Sequence, residues 1–229
     1  DIGVQLSPLM MPLSRVVYEF PNLRESASFR GLPGLLSDSL PDKFGNRIID
    51  VHLAQKGIDA TKYGSVPRLL YMGKRAMGAL EYEPIDEDLV GNYEESLDLK
   101  ELVQFSADVL AHRESAHFSD KDLSMRQMVS VGTSAGGARA KALIAWNKKT
   151  HDIRSGQASP KPGYENYLIK FDGIDNNKDI GDAEPDPKCS TRIEYAYYLM
   201  AKKAGITMNE CRIYESEGDH HFMTKRFDR

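Results

Sequence analysis

"VSVGTSAGGARAKALIAW" (129–146) sets three glycines, a threonine, a serine and two cations between two apolar runs. A loop of this composition serves two different chemistries. Backbone N–H groups approach an anion closely only where side chains are absent, so Gly132, Gly136 and Gly137 fit a turn that cradles phosphates. The same residues, Gly132, Thr133, Ser134, Ala135 and Gly136, spell G-x-S-x-G, a turn that presents a nucleophilic serine. The segment is neither a Walker A motif nor G-x-G-x-x-G, so taken alone it leaves both chemistries open.

The chain downstream separates them. A kinase needs a strand lysine on the ATP phosphates and a helix glutamate to hold that lysine. "YLIKFDG" (167–173) places Lys170 among strand formers, and Glu194 follows on the helix "TRIEYAYYLMAKKAG" (191–205). "CRIYESEGDHHFMTKRF" (211–227) then reads as strand, Glu-Gly-Asp turn and strand. Loop, strand lysine, helix glutamate and two strands follow the order of a kinase N-terminal lobe. Each residue also has a plain structural role. Thr191 and Glu194 match a T-x-x-E capping box, which by itself explains Glu194. Lys170, Arg139 and Lys141 fit ordinary surface cations, and Thr133 and Ser134 ordinary turn residues.

A serine hydrolase would use Ser134 with Asp172 or Asp182 and then His220 or His221, with "MVSV" as the strand before the elbow and "ARAKALIAW" as the helix after it. It would also require an oxyanion segment upstream and repeated β-α units on both sides of the elbow. Neither is visible. "DNNKDIGDAEPD" (175–186) resembles a calcium loop, but its glycine falls one position late and Asp186 stands where a glutamate is required. No metal site is expected.

Hydrophobic residues are 41% of the 229 and charged residues 28%, ordinary for a globular protein with a real core. The net charge of −4 gives no reason to expect direct nucleic-acid binding. Two cysteines, Cys189 and Cys211, do not make a disulfide framework and fit a cytoplasmic setting. No apolar run approaches the ~20 residues of a membrane span.

Along the chain, 42–59 reads as a helix with Asn46 as its cap and Gly57 as its stop, and 61–72 as a second helix carrying Pro67. "AMGALEYEP" (76–84) reads as a strand, and 98–111 as a helix with Asp98 and Glu101 forming a capping box. Short apolar runs at 128–132, 140–146, 167–171, 211–215 and 221–227 predict an antiparallel sheet. In the helix over 191–205, Ile193, Ala196, Tyr197, Met200, Ala201 and Ala204 recur at core spacing. The fold class is therefore α+β, with a mixed α/β subdomain over 1–115 and a kinase-like N-lobe, an antiparallel sheet plus one regulatory-type helix, over 116–229.

Several blocks resemble the HipA family of bacterial toxin kinases. They are "FRGLPGLLSDSLPDKFG" (29–45), "ALEYEP" (79–84), "GTSAGGARAK" (132–141), "YLIKFDG" and the stretch 194–229 that ends in Arg-Phe-Asp-Arg. The resemblance runs over nearly the whole chain in the family's order. It implies a serine/threonine protein kinase, the toxin of a type II toxin–antitoxin module, using ATP and Mg2+. Its partner would be a helix-turn-helix antitoxin (HipB-like), and its substrate an aminoacyl-tRNA synthetase. By position, Gly132, Thr133, Ser134, Ala135, Gly136, Gly137, Ala138 and Arg139 would cover the ATP phosphates. Lys170 would contact them, Glu194 would position it, and the backbone from Lys225 to Phe227 would be the adenine hinge. Ser134 would be the autophosphorylated serine, its phosphate repelling ATP. The family's catalytic and metal-binding aspartates lie past the hinge, and its first strands ahead of "LSPLMMP". The expectation is therefore a catalytically inactive portion of a kinase, without catalytic residues of its own. The alternative is a non-catalytic binding module that contacts an antitoxin and exposes apolar surface near the hinge.

Overall fold

The computed structural model describes residues 11–25, 28–73, 76, 80–85, 96–111, 140–156, 161–172, 174 and 189–228. Short 3-10 turns at Pro21–Leu23 and Ala60–Lys62 accompany the helices α1 (Gly34–Asp38), α2 (Lys43–Gln55), α3 (Ser65–Met72), α4 (Leu99–Ala111) and α5 (Ser190–Lys203). The strands are β1 (Lys141–Asn147), β2 (Ile153–Ser155), β3 (Tyr164–Lys170), β4 (Cys211–Ser216) and β5 (Asp219–Lys225). They form one antiparallel five-stranded sheet in the order β2-β1-β3-β5-β4. The α+β class and the antiparallel sheet follow the sequence, while the predicted strand 128–132 and the boundary at 115 lie outside the described residues.

Helix α2 starts one turn earlier than Asn46 suggests. Asp42 is its cap, accepting the Gly45 N–H at 2.7 Å, and Asn46 sits inside the helix, donating to the Pro41 and Asp42 carbonyls. Asp won because its carboxylate reaches the third helical N–H, the group left without an intrahelical partner. At the other end Gly57 adopts φ +70°, and the Ile58 N–H returns to the Leu53 carbonyl, closing the helix in the left-handed stop its glycine predicts. Pro67 is tolerated because it falls in the first turn of α3, where its missing N–H has no partner to lose. Asp98 caps α4 by accepting from the Lys100 and Glu101 N–H groups. The described part of 76–84 is not a strand; Tyr82 N–H bonds the Gly73 carbonyl across the segment instead.

Strand alternation sorts the sheet into two faces. Ala142, Ile144, Trp146, Tyr167, Ile169 and Met223 join Phe44, Ile48, Ile49 and Leu53 of α2 and Leu102 and Phe105 of α4 in one core. The opposite face carries Lys141 and Lys170, which stand directly across from each other in β1 and β3. Strand β2 was not legible in advance: three residues give no period to read, and it is pinned by Gly156, whose absent Cβ would lie 2.7 Å from the Ile144 backbone. The β4–β5 hairpin turns on Glu217 and Gly218, both at positive φ, a two-residue turn whose twist matches the strands.

Helix α5 has the predicted period but presents another face. Ile193, Tyr197 and Met200 are 42%, 66% and 64% exposed, while Thr191 is buried and Glu194, Tyr195 and Tyr198 are half-buried. Spacing reveals an apolar stripe; it does not say which side of the helix meets the sheet.

Candidate functional site

Lys170 is the last residue of β3, opposite Lys141 on one side and Phe222 of β5 on the other. Its ammonium reaches across to α5 and bonds both carboxylate oxygens of Glu194, at 2.8 and 2.7 Å. Each side chain of the pair is 28% exposed, so the bond sits at the mouth of the fold and not in its core. The capping-box role for Glu194 is not what the structure contains. The cap position belongs to Cys189 without a side-chain cap bond, and Thr191 lies inside the helix with its hydroxyl buried and unpartnered. Freed of capping, Glu194 faces the sheet.

The glycine-rich residues Gly132, Thr133, Ser134, Ala135, Gly136, Gly137, Ala138 and Arg139 lie outside the described residues. The structure does fix where the chain leaves them. The Ala140 carbonyl accepts the Phe171 N–H at 3.3 Å, and Lys141 follows, opposite Lys170. The register therefore sets Ala140 and Lys141, which follow residue 139, beside the end of β3 that carries Lys170.

Lys141 itself is no surface cation. Its side chain is 4% exposed and its ammonium lies 3.2 Å from Asp42, whose side chain is 2% exposed. Asp42 thus has two tasks, capping α2 with one oxygen and facing Lys141 with the other. Burial pushes the Lys141 pKa down more strongly than Asp42 pulls it up; Lys170 lowers it further and Glu194 raises it. Sequence reading missed this pair although "LPDKFG" was among its marked blocks. The available signal was parity: Lys141 and Lys170 each close one end of an apolar strand, so pairing those strands makes the lysines neighbours.

At the end of β5 the Lys225 N–H bonds the Glu210 carbonyl, its carbonyl accepts from Asn209, and the Arg226 N–H bonds the Asn166 carbonyl. Arg226 is buried and grips Asp228 through two bonds of 2.9 and 2.7 Å. In extended chain the residue between them points the other way, and Phe227 is 88% exposed. A buried arginine beside an exposed phenylalanine reverses the ordinary polarity of a fold. The Lys225 side chain is engaged elsewhere, 2.6 Å from Glu165.

Among the described residues the hydrolase arrangement is not formed. The segment after residue 140 is strand β1 and not a helix, and the sheet is antiparallel. The Asp172 carboxylate accepts the His220 backbone N–H at 3.1 Å, while the Nδ1 of His221 accepts the Asp172 backbone N–H at 3.0 Å. An imidazole that accepts there is neutral, and burial pushes its pKa down, so the Nδ1 of His221 does not donate to a carboxylate as a triad requires; the Nε2 of His220 lies 3.9 Å from Glu215 and not against Asp172. Asp182, Ser134 and the stretch 175–186 lie outside the described residues. Among those described, no group of three metal-ligating side chains converges and no helix is long and apolar enough to cross a membrane.

Comparison with curated proteins gives no match. Two protein-family models do match, without overlap and in order: the HipA N-terminal domain over residues 1–83 and the HipA-like C-terminal domain over residues 133–229. With both halves of one family's architecture matched in sequence order, the chain belongs to the HipA family.

Proposed function

We propose that this chain supplies the nucleotide-binding lobe of a serine/threonine protein kinase, the toxin of a type II toxin–antitoxin module, with ATP and Mg2+ as cofactors. The observation that carries the proposal is the Lys170–Glu194 bond between the sheet and α5. A lysine ammonium on a four-carbon stem is a mobile charge with three donors. Two oxygens of Glu194 fix its position and leave donor capacity for a phosphate. Ala140, which follows the glycine-rich residues 132–139, bonds Phe171 next to Lys170, and those residues would close their backbone N–H groups over the phosphates. A phosphate on Ser134 would oppose that closure by charge repulsion.

Adenine recognition falls to the backbone at Phe227, because the Lys225 and Arg226 N–H groups are already bonded. The aspartates near the lysine and the hinge do not serve as metal ligands: Asp172 is buried against His220, and Asp228 is clamped by Arg226. Neither of these two aspartates is a candidate catalytic base, and the function proposed for residues 1–229 is nucleotide binding. We place it in the cytoplasm, with a helix-turn-helix antitoxin as partner, an aminoacyl-tRNA synthetase as substrate, and no direct contact with nucleic acid. One observation favours a second function, a non-catalytic module that contacts the antitoxin: Ile193, Tyr197, Leu199 and Met200 lie exposed along α5.

An acyl-phosphate derivative of ATP, which acylates lysines beside the bound phosphates, tests the first function. Mass spectrometry is expected to find the label on Lys170, blocked by excess ATP. Label spread over exposed lysines with no protection by ATP would refute it.

A further inference from the structure

The β3–β5 ladder ends at the pair Lys170–Phe222, yet Phe171 and Asp172 beyond it stay buried. Two side chains take over from the ladder there. Nδ1 of His221 accepts the Asp172 N–H at 3.0 Å, and the Asp172 carboxylate accepts the His220 N–H at 3.1 Å. The imidazole of His221 is itself buried, with the Phe171 ring edge-on to it at a centroid distance of 6.0 Å. Strand side chains alternate, so His221 lies on the core face with Phe171 and Met223, away from Phe222, Lys170 and its partner Glu194. Tyr214 of β4 stands opposite His221 on that face.

We propose that His221 is a proton-sensitive latch: its neutral imidazole holds the backbone that follows Lys170, and protonation releases Asp172 from the end of the sheet. A neutral imidazole carries one acceptor nitrogen, and an imidazolium carries none. A proton on Nδ1 therefore sets two N–H groups against each other and leaves the Asp172 N–H without its acceptor. The bond from His220 N–H to the Asp172 carboxylate hangs on the same residue, so the two open together. Burial lowers the His221 pKa from its ordinary 6.5; Asp219 and Asp172 oppose that shift and His220 adds to it. Glu215 lies 3.9 Å from the His220 ring and completes the charged groups around the pair. A histidine whose pKa falls on folding is held neutral by the fold. The latch is therefore fully closed above about pH 6.5 and opens as pH falls through the lower, folded value.

Amide hydrogen exchange on the full chain, followed by NMR from neutral pH down to the onset of acid unfolding, tests the latch. The Asp172 and His220 amides are expected to lose protection together, by about tenfold per pH unit below the folded pKa of His221, as uptake of one proton requires. Ile169, paired on both sides in the sheet, should keep its protection over the same range and so marks the fold as intact. His221→Asn offers an amide oxygen that accepts but does not titrate, and should hold both protections level. Protection that stays constant with pH in the wild type overturns the proposal, for the imidazolium would then have turned to donate to the Asp172 carboxylate. A loss that His221→Asn leaves in place also overturns it, because the titrating group would be Asp172 or His220.

A second measurement needs only the wild type and decides the matter if His221→Asn fails to fold. The ring nitrogen shifts of His221 are expected to show the Nε2–H tautomer at neutral pH, and an imidazolium forming over the range in which Asp172 loses protection. An Nδ1–H tautomer at neutral pH overturns the latch. So does a ring that takes up its proton while the Asp172 amide stays protected. Both readouts are made without nucleotide, so the latch stands or falls apart from phosphate binding by Lys170.

Discussion

Replacing Asp42 tests the energetic logic of the buried pair most sharply. Both side chains are almost wholly excluded from solvent, at 2% and 4% exposure, and the pair is 3.2 Å apart. Removing one member of such a pair leaves the other charge buried and costs about 3–5 kcal/mol. Asp42→Asn should fall in that range, since asparagine still caps α2. Asp42→Ala also gives up the bond to Gly45 N–H, about 1 kcal/mol more, for a total of about 4–6 kcal/mol. The pair is not itself a large stabiliser, because burial outweighs Asp42 in setting the Lys141 pKa. Asp42→Asn with Lys141→Met should therefore recover most of the loss and end within about 1 kcal/mol of wild type. Urea denaturation at neutral pH reads all of these; with a slope of about 2–3 kcal/mol per molar, the single variants shift the midpoint by about 1–3 M. A loss below about 1 kcal/mol for Asp42→Asn, or a double variant as unstable as the single one, would refute the reasoning.

Three further outcomes are expected. The Glu165 carboxyl is held at about 2, first by its bond to Lys148 and then by that to Lys225. A carboxyl depressed on folding stabilises the protein above its ordinary range near 4.5 and loses that contribution as pH falls toward 2, so stability drops in that window by about 1–2 kcal/mol, allowing for solvent screening, and Glu165→Gln flattens the drop in acid titrations of the urea midpoint. Gly156→Ala drives a methyl group to 2.7 Å from the Ile144 backbone, and should cost about 1–3 kcal/mol in thermal or urea unfolding; a cost near zero would mean that the β1–β2 edge yields freely. Glu194→Gln should weaken ATP binding several-fold in calorimetry while costing under about 1 kcal/mol of stability, because the pair is partly exposed.

Period and turns were legible where local chemistry decides them, and so was one cap; Asn46 and Thr191 are not the caps that the sequence suggested. Gly57 and Gly205 stop their helices, Asp98 caps α4, and the Glu-Gly turn joins β4 to β5. Facing and pairing were not. The apolar residues of α5 appeared to mark its buried side, but Glu194 turns toward Lys170 and leaves Tyr197 and Met200 in solvent. Two cations near a loop look like surface charge until strand register sets Lys141 against Lys170 and α2 supplies Asp42. Lys170 and Glu194 were both singled out in the sequence. The bond between them is a tertiary fact, because a helix glutamate two residues either side would carry the same composition and face elsewhere.

Calorimetric titration of ATP–magnesium into the wild-type chain and Lys170→Ala tests the nucleotide site most directly. Binding that Lys170→Ala weakens about tenfold, about 1.4 kcal/mol, is the predicted result. Binding of equal affinity in both chains would contradict it, for the Lys170–Glu194 bond would then be a structural tie with no phosphate to hold.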